Sequence, residues 1–560
     1  MQLRDPGVVM TPETLGALQP TRFSASRTLI SKMVQEQWVI TRAEFDIDAS
    51  GQGNARYHVA VNDDWSFEFV VFSNAPEEGV ERTDRIIGSH WDMMGALIEG
   101  AAGNDRIEHT KRELPKLYGG RAAPGTLIWC RANRSMRAFD LTVEALSRGE
   151  QPPARVLGAV CYLMRNTGLD GNGTFGTRSF AAYESDHPLR TPYHAQMLTS
   201  YLMREFSLDL AEHMAAAINP DAAQLSHQFR RFLGLGNASG LGLVLFAKNH
   251  PRMVDRWLTL RESSLAGARE LILSPVAPEL DRLDALLERA VSYKASDRMR
   301  YTYQPAASLV STELAELRSR LASLRATAGE PGTLLDALYL SAADLTSETQ
   351  EILNALLLEL LPLPEDVASL TTVDEVAQAF PATPVSELLE LIHKDYQWAA
   401  ETDLAAPAAR HFAWYKSANA EEPRRGPLRE LPDNFDDMTL DLPEKLQDLI
   451  PLLRGSDPSR TVGSILRQHP AFRATVERVL ALRNTRYHTV RANTRDEDFN
   501  PAHIIRLFNS AFYGLDKTKE DGPVGVVGVM FHGAPTPTEI AKGTGQDWLF
   551  PAEPEDKTND

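Results

Sequence analysis

The residues of this 560-residue chain whose types and spacing could do chemistry fall into five groups. The first is Asp170-Gly-Asn-Gly-Thr-Phe-Gly176, flanked by Arg165 and Arg178. Its glycines permit positive φ and let the backbone approach a ligand closely. Successive N–H groups there can form an anion nest with Asn172 beside it. The second is Gly234-Leu-Gly-Asn-Ala-Ser-Gly-Leu-Gly242. A dinucleotide fingerprint would need a preceding strand and an acidic residue about 20 positions on. The preceding segment reads as helix, and Asp255 falls inside a helical pattern, so no nucleotide fold is expected. Asn237 and Ser239 suit an anion at a helix N-terminus instead.

The third group, Glu205, Asp209 and His213, is spaced i, i+4, i+8, with Glu212 beside it and His194 upstream. That spacing puts carboxylates and imidazole on one helical stripe. A diiron site needs a matching Glu-x-x-His on another helix, and the sequence offers none, so no metal ligand is assigned. His213 is kept as a proton-transfer candidate, against the plain reading of a wet helix face. The fourth, Arg131-Ala-Asn-Arg134-Ser-Met-Arg137, would on a helix bring Arg134 and Arg137 close together with Arg131 one turn behind, a clamp for carboxylate or phosphate. Surface salt bridges are its ordinary alternative. The fifth is Gly88-Ser-His90-Trp91-Asp92 at a strand-to-helix junction, where His90 is placed to act as acid or base. There is no Gly-x-Ser-x-Gly elbow, no HExxH and no P-loop.

The elements that must hold these groups are read from periodicity. Trp38-Val-Ile-Thr41, Tyr57-His-Val-Ala-Val61 and Phe67-Glu-Phe-Val-Val-Phe72 alternate or are β-branched, with turn residues between them. They predict an antiparallel meander, followed by a helix over 91–99. From about 135 to 270 the period is helical, and Pro192 and Pro220 bracket a long helix ending near Ile218. Leu314, Leu317, Leu321 and Leu324 form one apolar stripe. Residues 418–434 read as a linker or long loop. β character returns at 524–531, where a strand apolar on both faces wants cover on both. The expected fold class is α+β, predominantly helical, with a small antiparallel sheet formed by N-terminal and C-terminal strands. That arrangement would deliver His532 to the end of the sheet, near His90.

The strings Tyr162-Leu-Met-Arg165, Gly171-Asn-Gly-Thr-Phe-Gly176, Gly234-Leu-Gly-Asn-Ala-Ser-Gly-Leu-Gly242, Asn249-His-Pro251 and Phe531-His-Gly-Ala-Pro535 resemble, in the same order, a large family of uncharacterised bacterial proteins. The resemblance spans most of the chain and implies a bacterial, specifically proteobacterial, origin. No activity attaches to that family, so it assigns no catalytic residue.

Composition sets the remaining bounds. With 58 basic and 76 acidic side chains the formal charge is −18, which opposes the phosphate neutralisation that nucleic-acid binding needs. The two cysteines, Cys130 and Cys161, exclude a Cys-rich zinc site and suit buried thiols in a reducing compartment. No secretory leader and no apolar run of membrane-spanning length is seen. The organisation expected is a β-rich region at 1–130, a helical core with two glycine loops at 131–270, a helical region at 271–418, C-terminal helices and a returning strand at 419–549, and a disordered tail at 550–560.

The function expected is acid–base chemistry on a small anionic metabolite, of lyase, isomerase or hydrolase type, in the cytoplasm. His90, His213 and His532 are the proton-transfer candidates. Arg131, Arg134, Arg165, Asn172, Arg178, Asn237 and Ser239 are the binding candidates. A metal- or cofactor-dependent oxidoreductase and a non-enzymatic helical scaffold or regulator are the alternatives. The sequence leaves the cofactor unknown, nucleic acid and membrane are not expected as partners, and homo-oligomerisation stays open.

Overall fold

The computed structural model describes residues 2–74, 91–114, 125–171, 184, 186–237, 251–273, 277–295, 306–327, 331–362, 381–406, 416–417, 423–424, 441–481, 483, 485–487, 507–519 and 526–555. Strands β1 (Val39–Ile47), β2 (Gly53–Ala60), β3 (Ser66–Ser73), β4 (Met93–Glu99), β5 (Thr126–Arg134), β6 (Tyr162–Gly171) and β7 (Gly234–Asn237) lie in one sheet in that order. A detached ladder pairs β8 (Lys416–Ser417) with β9 (Pro423–Arg424). The main sheet is completed beyond β7 by β11 (Val526–Met530) and then β10 (Asp516–Lys519), giving nine strands. Every pairing is antiparallel except β6 with β7, which run parallel.

The fold is therefore α+β, but the small sheet built from the chain ends is corrected to a large mixed one. Four of its strands come from residues 93–237, which periodicity assigned to helix or loop. The last strand does not pair with the meander; β11 sits between β7 and β10. The physical reason is burial on both faces. Phe67, Phe69, Val71, Leu97, Ile128 and Cys130 face the main core, while Val70, Phe72, Ala96, Ile98 and Trp129 face a second cluster. Strands covered on both sides read as short apolar runs, which periodicity cannot tell from buried helix.

The parallel β6–β7 pair requires a long crossover. It contains the helix His194–Ile218, which matches the proline-bracketed expectation and is buried on nearly all sides. Two further cores are helical. Helices Pro251–Arg269, Pro278–Ala295, Ala307–Thr327, Pro331–Ser341 and Ser347–Leu358 surround Leu283, Leu287, Leu314, Leu317, Leu321 and Leu356. Helices Val385–Asp395, Asp441–Arg454, Val462–Gln468 and Arg473–Ala481 enclose a separate cluster around Leu388, Leu446 and Val479. No described helix is long and apolar enough to cross a membrane.

Candidate functional site

Strand geometry separates several of the expected site residues. Arg131 and Arg134 lie on β5, not on a helix, so their side chains project from opposite faces. Arg131 stacks over Trp91 and Trp129, with its guanidinium carbon 4.8 Å from each ring. Arg134 is buried; its Nη2 donates to Gly51 O at 3.2 Å and to Ser73 Oγ at 3.4 Å, and its guanidinium lies over Phe139. Arg134 ends the strand and Arg137 lies in the turn after it, so no helix carries the three arginines as expected. His213 contacts the same β1–β2 turn, with Nε2 3.2 Å from Asp48 O and its ring edge-on to Phe45. Arg165 is buried on β6, in register with Asn133 and Gly236.

Asn237 ends β7, opposite Asn166 and Gly528. Because β6 and β7 are parallel, their last residues, Gly171 and Asn237, lie toward the same end of the sheet. Asn172, Arg178 and Ser239, like His90, lie outside the described residues, as do residues 172–176 and 238–242 of the two glycine loops.

The acidic stripe on the long helix is occupied by guanidinium groups. Arg230 Nη2 reaches Asp209 at 2.9 Å and Glu212 at 2.7 Å, and Arg204 Nη1 reaches Glu205 at 2.6 Å. Burial raises the Glu205 carboxyl above its ordinary value, and Arg204 and Arg230 oppose that rise. Among the described residues no cluster of His, Cys, Asp or Glu could hold a metal ion. His194 is deeply buried, with Nε2 2.9 Å from Thr28 Oγ1, and burial lowers it to about 3.

A partly open cleft lies where the sheet meets the first helical core. Its walls are Tyr293, Leu356, Val529, Trp548 and Phe550, and its polar groups include Gln19, Arg27 and His532. Arg27 stands in the first turn of the helix Ala25–Gln35, whose N-cap Ser24 makes no side-chain capping bond. Its Nη2 donates to both Glu359 oxygens, at 3.1 and 3.0 Å, and its guanidinium lies 5.1 Å over the Trp548 ring. Arg27 is only 9% exposed, yet Nη1 is buried with no hydrogen-bond partner among the described residues. Buried donors are normally satisfied, so an unmet one calls for an account. Arg282 approaches Glu359 at 3.7 Å. Burial lowers Arg22, Glu359 opposes this, and Arg27 and Arg282 add to it. Arg27 and Arg282 thus share the Glu359 carboxylate, with Arg22 nearby donating to the Leu358 and Leu361 carbonyls, which leaves the site with excess positive charge.

His532 is brought to this cleft by a sharp turn after β11. Phe531 and Gly533 have φ of +59° and +83°, and the His532 ring packs edge-on to Phe232 at 4.6 Å. The turn is clamped from three sides: Tyr201 Oη donates to Pro535 O at 2.7 Å, Arg231 to Gly533 O at 3.0 Å, and Arg204 to Ala534 O at 3.3 Å. Phe550, on the opposite wall, also has positive φ, at +48°. Strained backbone of this kind concentrates at ligand sites. Arg289 holds the Trp548 wall by donating to the Asp547 carboxylate at 2.8 Å and to Leu549 O.

Of the expected site residues, His532 alone is described as lining this cleft. Arg27, Glu359, Trp548 and Phe550 went unrecognised in the sequence. One signal was available: Trp548-Leu-Phe550 is an apolar triplet in an otherwise polar C-terminus, which is the mark of a segment docked on something. Compared with protein-family models, curated proteins and solved structures, the chain matches none.

Proposed function

We propose that this cleft is the active site of an enzyme that performs acid–base chemistry on a small anionic metabolite, in a lyase, isomerase or hydrolase type of step. Arg27 holds the anion through Nη1, His532 moves the proton, and the aromatic walls exclude water. The observation that carries the reading is the unmet donor of Arg27, a residue that lines a cleft together with a histidine. Excess positive charge among Arg22, Arg27, Arg282 and Glu359 favours an anion, and exclusion of water strengthens that attraction. A cytoplasmic setting goes with this reading, supported by two buried free thiols, and the net charge of −18 argues against a nucleic-acid partner.

The test is NMR of a panel of small carboxylates and phosphate esters in D2O, following both carbon-bound proton exchange and turnover. The wild-type protein is expected to exchange or convert at least one compound, and His532→Gln to slow it by about 10²-fold or more, the usual scale of general acid–base catalysis. If the wild type processes no panel member, or if His532→Gln matches it, the reading is wrong.

A further inference from the structure

We infer that the ligand of this cleft is a monocarboxylic acid with a flat aromatic body, an inference that rests on the cleft being the anion site proposed above. The polar side decides the head group. Arg27 Nη2 is committed to Glu359, so Nη1 is left with one pair of N–H donors. Gln19 adds no donor, because its Nε2 already bonds Ala17 O at 2.9 Å and Glu348 Oε1 at 2.6 Å. The two hydrogens on Nη1 diverge, so this nitrogen offers a carboxylate a contact to one of its oxygens, and a carboxylate brings only one charge. A phosphate monoester brings three terminal oxygens and up to two charges, more than this wall supplies. Glu359 lies directly behind the guanidinium and would repel a dianion more than a monoanion.

The other walls decide the body. Tyr293 and Phe550 stand 5.3 Å apart at 55°, and Trp548, stacked on Phe531 and lying under the Arg27 guanidinium, contributes its edge. Tyr293 also lies 6.3 Å from His532. Leu356, Leu549 and Val529 fill the rest of the lining with apolar surface. A planar apolar group finds edge and face partners there, whereas a polyhydroxylated body would bury hydroxyls against carbon. Trp548, Leu549 and Phe550 lie on one segment, so the aromatic wall and the anion anchor come from opposite ends of the chain.

The experiment is calorimetric titration of the full-length protein with 3-phenylpropanoate, 3-phenylpropanamide, acetate and phenyl phosphate. The expected result is that 3-phenylpropanoate binds at least tenfold tighter than each of the other three. Arg27→Gln should bring it level with the amide, and Trp548→Leu should bring it within threefold of acetate. If Arg27→Gln fails to fold, as judged by circular dichroism, Arg27→Lys takes its place and should cut the carboxylate-over-amide preference at least threefold. Tighter binding of phenyl phosphate, or acetate equal to 3-phenylpropanoate, overturns the aromatic carboxylate while leaving the anion site standing. Equal binding of acid and amide by the wild type, or no binding of any probe at 10 mM, overturns both. Binding as expected with no proton exchange leaves this inference standing and removes the enzymatic one.

Discussion

Two regions of the molecule build guanidinium–carboxylate clusters at nearly the same depth, and they finish them differently. On the long helix, Arg204 is wholly buried and every nitrogen is engaged. Nε donates to Leu233 O at 2.6 Å, Nη1 to Glu205 at 2.6 Å, and Nη2 to Arg230 O at 2.5 Å, with Arg231 O and Ala534 O also in reach. At the cleft, Arg27 donates through Nη2 to Glu359 while Nη1 stays unmet among the described residues. The first cluster ties β7, the helix His227–Phe232 and the C-terminal turn to the sheet. The second keeps donors in reserve. A polar cluster with all its donors used is fastening; the one with a donor left unmet beside a cavity is the one on which the proposed anion site rests.

The largest effect expected from this contrast is on stability. Arg204→Met strands the Glu205 carboxylate and several carbonyls, and should cost about 3–5 kcal/mol. Arg27→Met leaves Glu359 beside Arg282 and Arg22, and should cost about 1–2 kcal/mol. Urea unfolding of both variants measures the gap. Equal losses would erase the distinction between fastening and reserve.

A smaller, pH-dependent effect sharpens the link between the two regions. His194 begins the long helix and bonds Thr28, on the helix that carries Arg27. Burial lowers its pKa from 6.5 to about 3, so the unfolded chain takes up a proton that the fold refuses. Below pH 6.5 the unfolded state therefore gains, and the fold loses stability as pH falls toward 3. From pH 7 to pH 5 this one group should remove about 2 kcal/mol. His194→Gln should be less stable at pH 7 and show a slope flatter by that amount; an unchanged slope would mean that His194 is not held neutral.

The smallest effect concerns the thiols. Cys130 and Cys161 are buried and free, and burial raises the Cys130 thiol. Both should stay unreactive to a thiol reagent in the native protein and react fully in urea. Rapid native labelling would show that the sheet opens where β5 carries Cys130.

Local signals made part of this legible. The β1–β3 meander, the helix between Pro192 and Pro220, and the Leu314, Leu317, Leu321 stripe all follow from periodicity and turn residues acting within a few positions. The same signals misread β4 as helix, because Met93, Ala96, Leu97 and Ile98 are all buried, on alternate sides, and leave no polar face to set a period. They put Arg131, Arg134 and Arg137 on one helix, where a strand ending at Arg134 and a turn stand instead. His532 was legible as a polar residue at the end of an apolar strand.

The sequence by itself determined the local matter: where turns fall, which long helix forms, which faces are apolar, and a charge that repels phosphate polymers. Tertiary structure alone decided the order of the nine strands, the parallel seam between β6 and β7, and the meeting of Arg27, Glu359, His532 and Trp548. Those four are separated by hundreds of positions, apart from the last pair. Their proximity depends on which buried surfaces pack together, and no short-range pattern records that choice.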